Sequence, residues 1–242
     1  MGLLSYLYSP WGIILQVLAI VHFVRRRPDT YWLWIILFLG RYGAVIYLLA
    51  EALPDAGSSF KGFSRRNRIG QLQAELRENP SCGNYEELGD LYLDGGKLAQ
   101  AREAYQRSIA ARASTIDPFY HRGVCALLLG DAAAALPDLE RTIAEAPNHD
   151  FQRAQGLLAH AYALTGQPTK AEEQFHEAVL RSTLSETYLN YASFLAGQGR
   201  ASEARVWTSK VLEKRNSLLR YQRRRERPNF RRAQKLLKSL PA

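Results

Sequence analysis

The chain has two cysteines and one methionine among 242 residues. Cys82 and Cys125 are too few for a disulfide framework or a four-ligand zinc site. A single methionine excludes a Met-rich, adaptable binding groove. No Gly-x4-Gly-Lys-Ser/Thr segment occurs, so the phosphate-cradling loop of that type is missing. His121, His149, His160 and His176 have no paired cysteine or carboxylate at metal-ligand spacing. The adjacent pairs Glu86–Glu87 and Glu172–Glu173 diverge by about 100° on a helix and cannot share one substrate. The sequence therefore implies no catalytic residues, no cofactor and no metal, and the chain reads as a non-enzyme. Cys125, between Val124 and Ala126 on an apolar helix face, reads as a buried structural thiol.

What is present is unevenly placed. With 47% hydrophobic and 23% charged residues, wholesale disorder is excluded. The net charge of +9 is an average over unlike segments. Residues 1–50 carry +3, residues 51–68 +2, residues 69–204 −7 and residues 205–242 +11. The middle is acidic, and a basic tail explains the high isoelectric point.

Two apolar runs open the chain. Leu3 to Val24 has no charged residue, and Tyr31 to Ala50 has only Arg41. Each is about 20 residues, enough at 1.5 Å per residue to cross a ~30 Å hydrocarbon layer. The connection Arg25-Arg26-Arg27-Pro28-Asp29-Thr30 suits only antiparallel neighbours. Tyr6, Tyr8, Trp11, Tyr31, Trp32 and Trp34 fall near the ends of the runs, where amphipathic rings favour headgroups. The charges follow the first run instead of preceding it, unlike a signal peptide. The expectation is a two-helix transmembrane anchor over 1–50, in a two-pass protein of the bacterial inner membrane with lipid contacts through residues 3–50. Arg41 is then an intramembrane polar residue, poised for a functional contact or for snorkelling.

The residues Val21-His22-Phe23-Val24-Arg25-Arg26-Arg27, then Trp34, then Gly43-Ala44-Val45-Ile46-Tyr47-Leu48-Leu49 resemble the N-terminal anchor of bacterial phospholipase D and cardiolipin synthase proteins. The resemblance covers about forty residues and departs at Arg41, where that family usually has proline. The family's His-x-Lys-x4-Asp signature is absent. The resemblance thus implies anchoring and no phospholipase chemistry. Residues 51–63, with Pro54, Gly57 and Gly62, read as a linker.

From Cys82 onward the sequence repeats itself. Tyr85-x-x-Leu88-Gly89-x-x-Tyr92, then Gly96, Ala101 and Tyr105, matches the tetratricopeptide pattern. Later copies run through Phe119, Gly123, Gly130, Ala135, Leu139 and Pro147; then Leu158, Ala159, Tyr162, Gly166, Ala171, Phe175 and Ala178; then Tyr188, Ala192, Leu195, Gly199, Ala204 and Val211. The small residues Gly89, Gly123, Ala159 and Ala192 mark close helix crossings. Gly96, Gly130, Gly166 and Gly199 suit the turns between paired helices. The expectation is an all-α chain: a tetratricopeptide solenoid of four repeats over 64–216, with Ile69 to Asn79 as an upstream cap. A basic capping helix or tail follows over 217–242, interrupted at Pro228.

In such arrays the first helix of each hairpin lines a groove, and the resemblance implies a protein or peptide partner there. The residues expected to face it are Glu86, Asp90, Asp94, Tyr120, Leu127, Arg153, His160 and Asn190. A segment with a basic end and an apolar middle should suit it. The tail's Arg220, Arg223, Arg224, Arg225, Arg227, Arg231 and Arg232 are expected to meet an anionic surface such as lipid; nucleic acid is disfavoured by the acidic body. The leading functional reading is a membrane-anchored scaffold or assembly factor. The alternatives are a non-catalytic accessory subunit of a lipid enzyme, and a lipid or nucleic-acid binder acting through the tail. The three arginines after Val24 lead to the expectation of a periplasmic array; the overall count of basic residues supports the alternative, a cytoplasmic one.

Overall fold

The computed structural model describes residues 10–26, 30–48 and 53–241. Tyr6, Tyr8, Arg27, Pro28 and Asp29 lie outside the described residues, as do the side chains of Trp11 and Arg220. Thirteen α-helices and no strand occur among the described residues. The chain divides into two units, Met1–Gln71 and Leu72–Ala242.

The first unit holds α1 (Pro10–Arg26), α2 (Tyr31–Phe38), α3 (Gly40–Tyr47) and the start of α4 (Leu53–Glu78). Gly40 adopts φ +57, a left-handed backbone that ends the helix before it, so the second apolar run yields two helices of 8 residues. Eight residues rise about 12 Å, well short of a ~30 Å hydrocarbon layer. No helix among the described residues is long and apolar enough to cross a membrane. This overturns the expected transmembrane hairpin and with it the two-pass inner-membrane localisation and the question of which side holds the array. It also leaves the phospholipase-type anchor resemblance without structural support. Gly43 is needed for closeness: a Cβ there would lie 2.1 Å from the Ile35 carbonyl oxygen. The small core of this unit is Ala19, Trp32, Ile36, Ala44 and Tyr47. Tyr47 shares a 2.8 Å hydrogen bond between its hydroxyl and His22 Nδ1, and its ring meets Trp32 edge-on. Arg41 is half-buried on α3, a helix of 8 residues.

Residues 53–63, expected as a linker with breaks, are helical as the first part of α4. Pro54 falls in the first turn, where its missing N–H is no loss.

The second unit is the array. Its hairpins are α5 (Cys82–Asp94) with α6 (Leu98–Ala110), α7 (Asp117–Leu128) with α8 (Ala132–Glu145), α9 (Arg153–Leu164) with α10 (Pro168–Arg181), and α11 (Ser185–Gly197) with α12 (Ala201–Ser217). A final helix, α13 (Arg220–Ser239), follows. The four turn glycines take φ between +70 and +83. In each turn the N–H of the next residue reaches back to a carbonyl five positions earlier, as in Lys97 to Tyr92 and Asp131 to Ala126, both 2.9 Å. This motif satisfies the carbonyls that a helix end leaves open.

Small residues let the paired helices close. A Cβ on Gly89 would lie 2.6 Å from the Tyr105 ring, and one on Gly123 3.2 Å from Leu139. Ala159 and Ala192 are fully buried at the equivalent crossings. Ala135, Leu139, Ala171, Phe175, Leu195 and Ala204 knit the second to fourth hairpins into one core. No hairpin could bury these side chains alone, so stacking is obligatory. The C-terminal helix is continuous through Pro228 and does not break there. It closes the array by packing Phe230 and Ala233 against Leu189 and Val211. Upstream, Leu72 and Leu76 of α4 are buried and Gln73 donates to the Tyr92 hydroxyl at 2.8 Å, so this stretch caps the other end.

Candidate functional site

The first helices α5, α7, α9 and α11 present repeat-equivalent positions to one face. One step after each crossing residue come Asp90, Val124, His160 and Ser193. Five steps after come Asp94, Leu128, Leu164 and Gly197. Leu128 and Leu164 are 57% and 56% exposed, although both are large and apolar. The face thus runs from acidic at the first hairpin to apolar in the middle.

At the acidic end Glu86 is half-buried, while Asp90 and Asp94 are exposed. Burial, then the negative charges of Asp117 and Asp90, raise the Glu86 carboxyl above its ordinary pKa. Helix α5 itself carries no basic residue. Asp90 accepts from the Tyr105 hydroxyl at 2.7 Å. Tyr105 in turn stacks on His121 with ring centroids 5.3 Å apart.

Between the second and third hairpins the same face is tied down. The spacing from Gly123 to Ala159 is 36 residues, longer than its neighbours. The turns inside the hairpins keep one length, so the extra chain lies between α8 and α9. There Asp150, Phe151 and Gln152 take φ of +47, +52 and +61, left-handed conformations without a glycine. Such backbone costs about 1–3 kcal/mol per residue and persists only where surroundings hold it. The holding contacts are visible. Tyr120 donates to Asp150 Oδ2 at 2.6 Å, and the His149 ring stands edge-on to Tyr120 at 4.5 Å. Arg153 donates to Tyr120 at 3.2 Å, to Asp150 at 3.4 Å and to Glu186 at 2.7 Å. Burial opposes the Arg153 charge, but its bonds to Glu186 outweigh this and hold the guanidinium above its usual pKa. Burial pushes the Tyr120 phenol up, with Arg153 pulling the other way. Phe151 is left 86% exposed on the turn.

These facts sort the expected groove residues. Glu86, Asp90, Asp94 and Leu127 remain accessible, and His160 is half-buried. Tyr120 and Asn190 are 2% and 3% exposed, so they support the face from beneath and cannot meet a partner, a correction to their expected role. Arg153 is committed to the clamp. Sequence reasoning missed Asp117, His121, Asp150 and Glu186. The signal for two of them was there, since Asp117, Arg153 and Glu186 each stand six residues before a crossing residue.

The tail arginines also separate. Arg232 donates to Ser193 Oγ at 3.3 Å and so touches the far end of the first-helix face. Arg223 donates to the Leu218 carbonyl at 2.8 Å. Arg224, Arg225, Arg227 and Arg231 are exposed on α13. Burial, then Arg232, lower the His160 pKa. Cys125 is fully buried, and burial pushes its thiol up to about 11, which suits an inert structural cysteine. Among the described residues no group of three His, Cys, Asp or Glu is placed to hold a metal ion. An open cleft of about 530 Å³ is lined by Glu172, His176 and Arg200, and Arg200 is paired with Glu172 and Glu203.

Comparison with known proteins identifies the architecture. The tetratricopeptide repeat model matches residues 83–115. Over 113 residues the chain is 32% identical to DnaJ homolog subfamily C member 3 of Mus musculus, covering 47% of this chain and 22% of that protein. The Homo sapiens form is 31% identical over the same length. The match thus spans about a fifth of these relatives. Among solved structures, MamA from Desulfovibrio magneticus RS-1 aligns with a TM-score of 0.58 at 21% identity, over 68% of this chain and 93% of that one. YrrB, a tetratricopeptide protein with an unusual peptide-binding site, aligns at 0.55 and 18% identity over 64% and 80%. TTC0263, a thermophilic tetratricopeptide protein of Thermus thermophilus, aligns at 0.54 and 19% identity over 76% and 96%. At these identities the structures speak for the fold. From Cys82 to Ser217 the chain has the fold of a tetratricopeptide array, and the repeat model itself matches within the first hairpin and the turn after it.

Proposed function

We propose that this protein is an interaction scaffold whose first-helix face takes a segment of a partner protein. The partner's basic end meets Glu86, Asp90 and Asp94, and its apolar part meets Leu127, Leu128 and Leu164. The observation that carries this reading is the graded face itself. The repeat-equivalent positions Asp94, Leu128 and Leu164 stay exposed along the array, acidic at one end and apolar in the middle, and the acidic end has no basic residue on its own helix. A peptide-binding site on a fold neighbour, YrrB, supports it. His160 and Ser193 extend the face towards α13. The array supplies binding and no reacting groups.

The test is fluorescence anisotropy with two labelled peptides of equal length, one alternating Lys/Arg with Leu, the other Asp/Glu with Leu. The cationic peptide should bind. Its affinity should fall about tenfold or more in Glu86→Gln/Asp90→Asn/Asp94→Asn, as expected when several charge-assisted contacts are lost. Equal binding of both peptides, or no change in the variant, would remove this reading.

A further inference from the structure

The two charge extremes of the second unit sit on helices that do not touch. On α5 every charged residue is acidic: Glu86, Glu87, Asp90 and Asp94. On α13, Arg227, Arg231, Lys235 and Lys238 are spaced four, four and three residues apart, which puts them on one helix face. All four are exposed and make no hydrogen bond or ion pair among the described residues. The opposite face of α13 is used up, with Phe230 and Ala233 buried against α11 and α12. Helices α5 and α13 belong to opposite ends of the array, with the second, third and fourth hairpins between. Packed helices stand about 8–10 Å apart. The separation therefore exceeds a screening length of about 10 Å in 0.1 M salt. The ends cannot neutralise each other within one chain.

We propose that the basic stripe of α13 in one copy docks on the acidic first hairpin of a second copy, joining the chains head to tail. This rests on the reading of the first-helix face as a docking surface and names its occupant. The lengths agree: Glu86 to Asp94 spans about 12 Å of helix and Arg227 to Lys238 about 16 Å. Apolar contacts are available on both sides. Leu219 and Tyr221 at the start of α13 are 61% and 67% exposed, and Leu128 beside the acidic hairpin is 57% exposed. The paired surfaces differ, so the contact is heterologous, and each added copy leaves one free head and one free tail.

Sedimentation velocity of the full-length chain tests this at about 0.05 M and about 0.5 M NaCl, on either side of effective screening. Two variants are needed: the head variant Glu86→Gln/Asp90→Asn/Asp94→Asn, and the tail variant Arg227→Gln/Arg231→Gln/Lys235→Gln/Lys238→Gln. At low salt the wild type should grow in mass with concentration, reaching about twice the mass of either variant or more, and lose the difference at high salt. Each variant alone should show no salt-sensitive growth. Mixed, they should form a 1:1 pair that grows no further, because the head variant keeps a working tail and the tail variant a working head. This restoration excludes misfolding as the cause of the loss. Wild-type mass that is independent of salt, variants that associate like the wild type, or a mixture that stays unpaired would each overturn the proposal. If the mixture stays unpaired while the cationic peptide still binds, the groove reading stands and a second copy is not its occupant.

Discussion

The first hairpin and the junction between the second and third hairpins show the same face of one array, yet they use it differently. At the junction, Arg153 is held by Glu186, Asp150 and Tyr120, and three left-handed residues are kept in place. At the first hairpin, Glu86 lies among like charges on a helix without a basic residue. The contrast teaches that polar residues on a repeat face are of two kinds. Some set the stacking of one hairpin on the next, and others lie on the surface of a fold whose packing does not need their charge.

That contrast makes stability and binding separable, and substitutions should separate them. The largest loss of stability belongs to Gly156→Val on α9. A Cβ there would lie 2.6 Å from Thr187 Oγ1, so the first helices of the third and fourth hairpins must part. The expected cost is about 2–3 kcal/mol, read from urea midpoints. Next comes Arg153→Ala, which strips the partner from Glu186 and from the strained turn. Both carboxylates are about a third exposed, so water recovers part of the loss, and about 1–2 kcal/mol is expected in urea unfolding.

A smaller effect follows from His121. Burial lowers its pKa despite the nearby Asp90, Asp117 and Asp150, with His149 adding to the lowering. Between that lowered value and the unfolded value of 6.5, the unfolded chain holds the extra proton. Stability contributed by neutral His121 is therefore present above pH 6.5 and lost as pH falls towards the folded value. His160 has the same sign. Glu86 has the opposite sign, since its raised carboxyl takes up a proton first in the folded chain. Thermal midpoints should fall on acidification from pH 7.5, and His121→Gln should flatten that slope. The smallest change in stability belongs to Glu86→Gln/Asp90→Asn/Asp94→Asn, within about 1 kcal/mol of the parent in urea, because the amide oxygen of an asparagine at 90 can still accept from the Tyr105 hydroxyl. A large loss there would merge the two kinds of residue into one.

The repeats were legible because two independent signals coincided. Small residues recur at Gly89, Gly123, Ala159 and Ala192, and glycines recur at Gly96, Gly130, Gly166 and Gly199. Each signal answers to one physical need, close approach or left-handed backbone, and both needs appear in the structure. The N-terminal runs misled because hydropathy averages over a window and ignores Gly40, whose backbone divides the second run. The linker misread came from the same source in reverse: Pro54 and Gly57 look like breaks, yet proline is tolerated in a first turn and a lone glycine in a helix costs only about 1 kcal/mol. At the candidate site, residue types were visible but burial was not. Tyr120 and Asn190 stand on the first helices, yet stacking with the next hairpin covers them. The strained turn at Asp150–Gln152 was illegible, since no glycine announces it and only its tertiary bonds hold it.

One measurement tests the central claim most directly. A photo-crosslinking amino acid is placed in the full-length chain at Leu128 or Leu164 on the first-helix face, and at Leu180 on α10, a second helix. All three positions are well exposed, at 57%, 56% and 76%, so access to the probe does not differ in favour of the first face. The account predicts protein adducts at Leu128 and Leu164 and little at Leu180, with the Leu128 adducts lost in Glu86→Gln/Asp90→Asn/Asp94→Asn. Adducts concentrated at Leu180, or adducts at Leu128 that ignore the acidic residues, would contradict it.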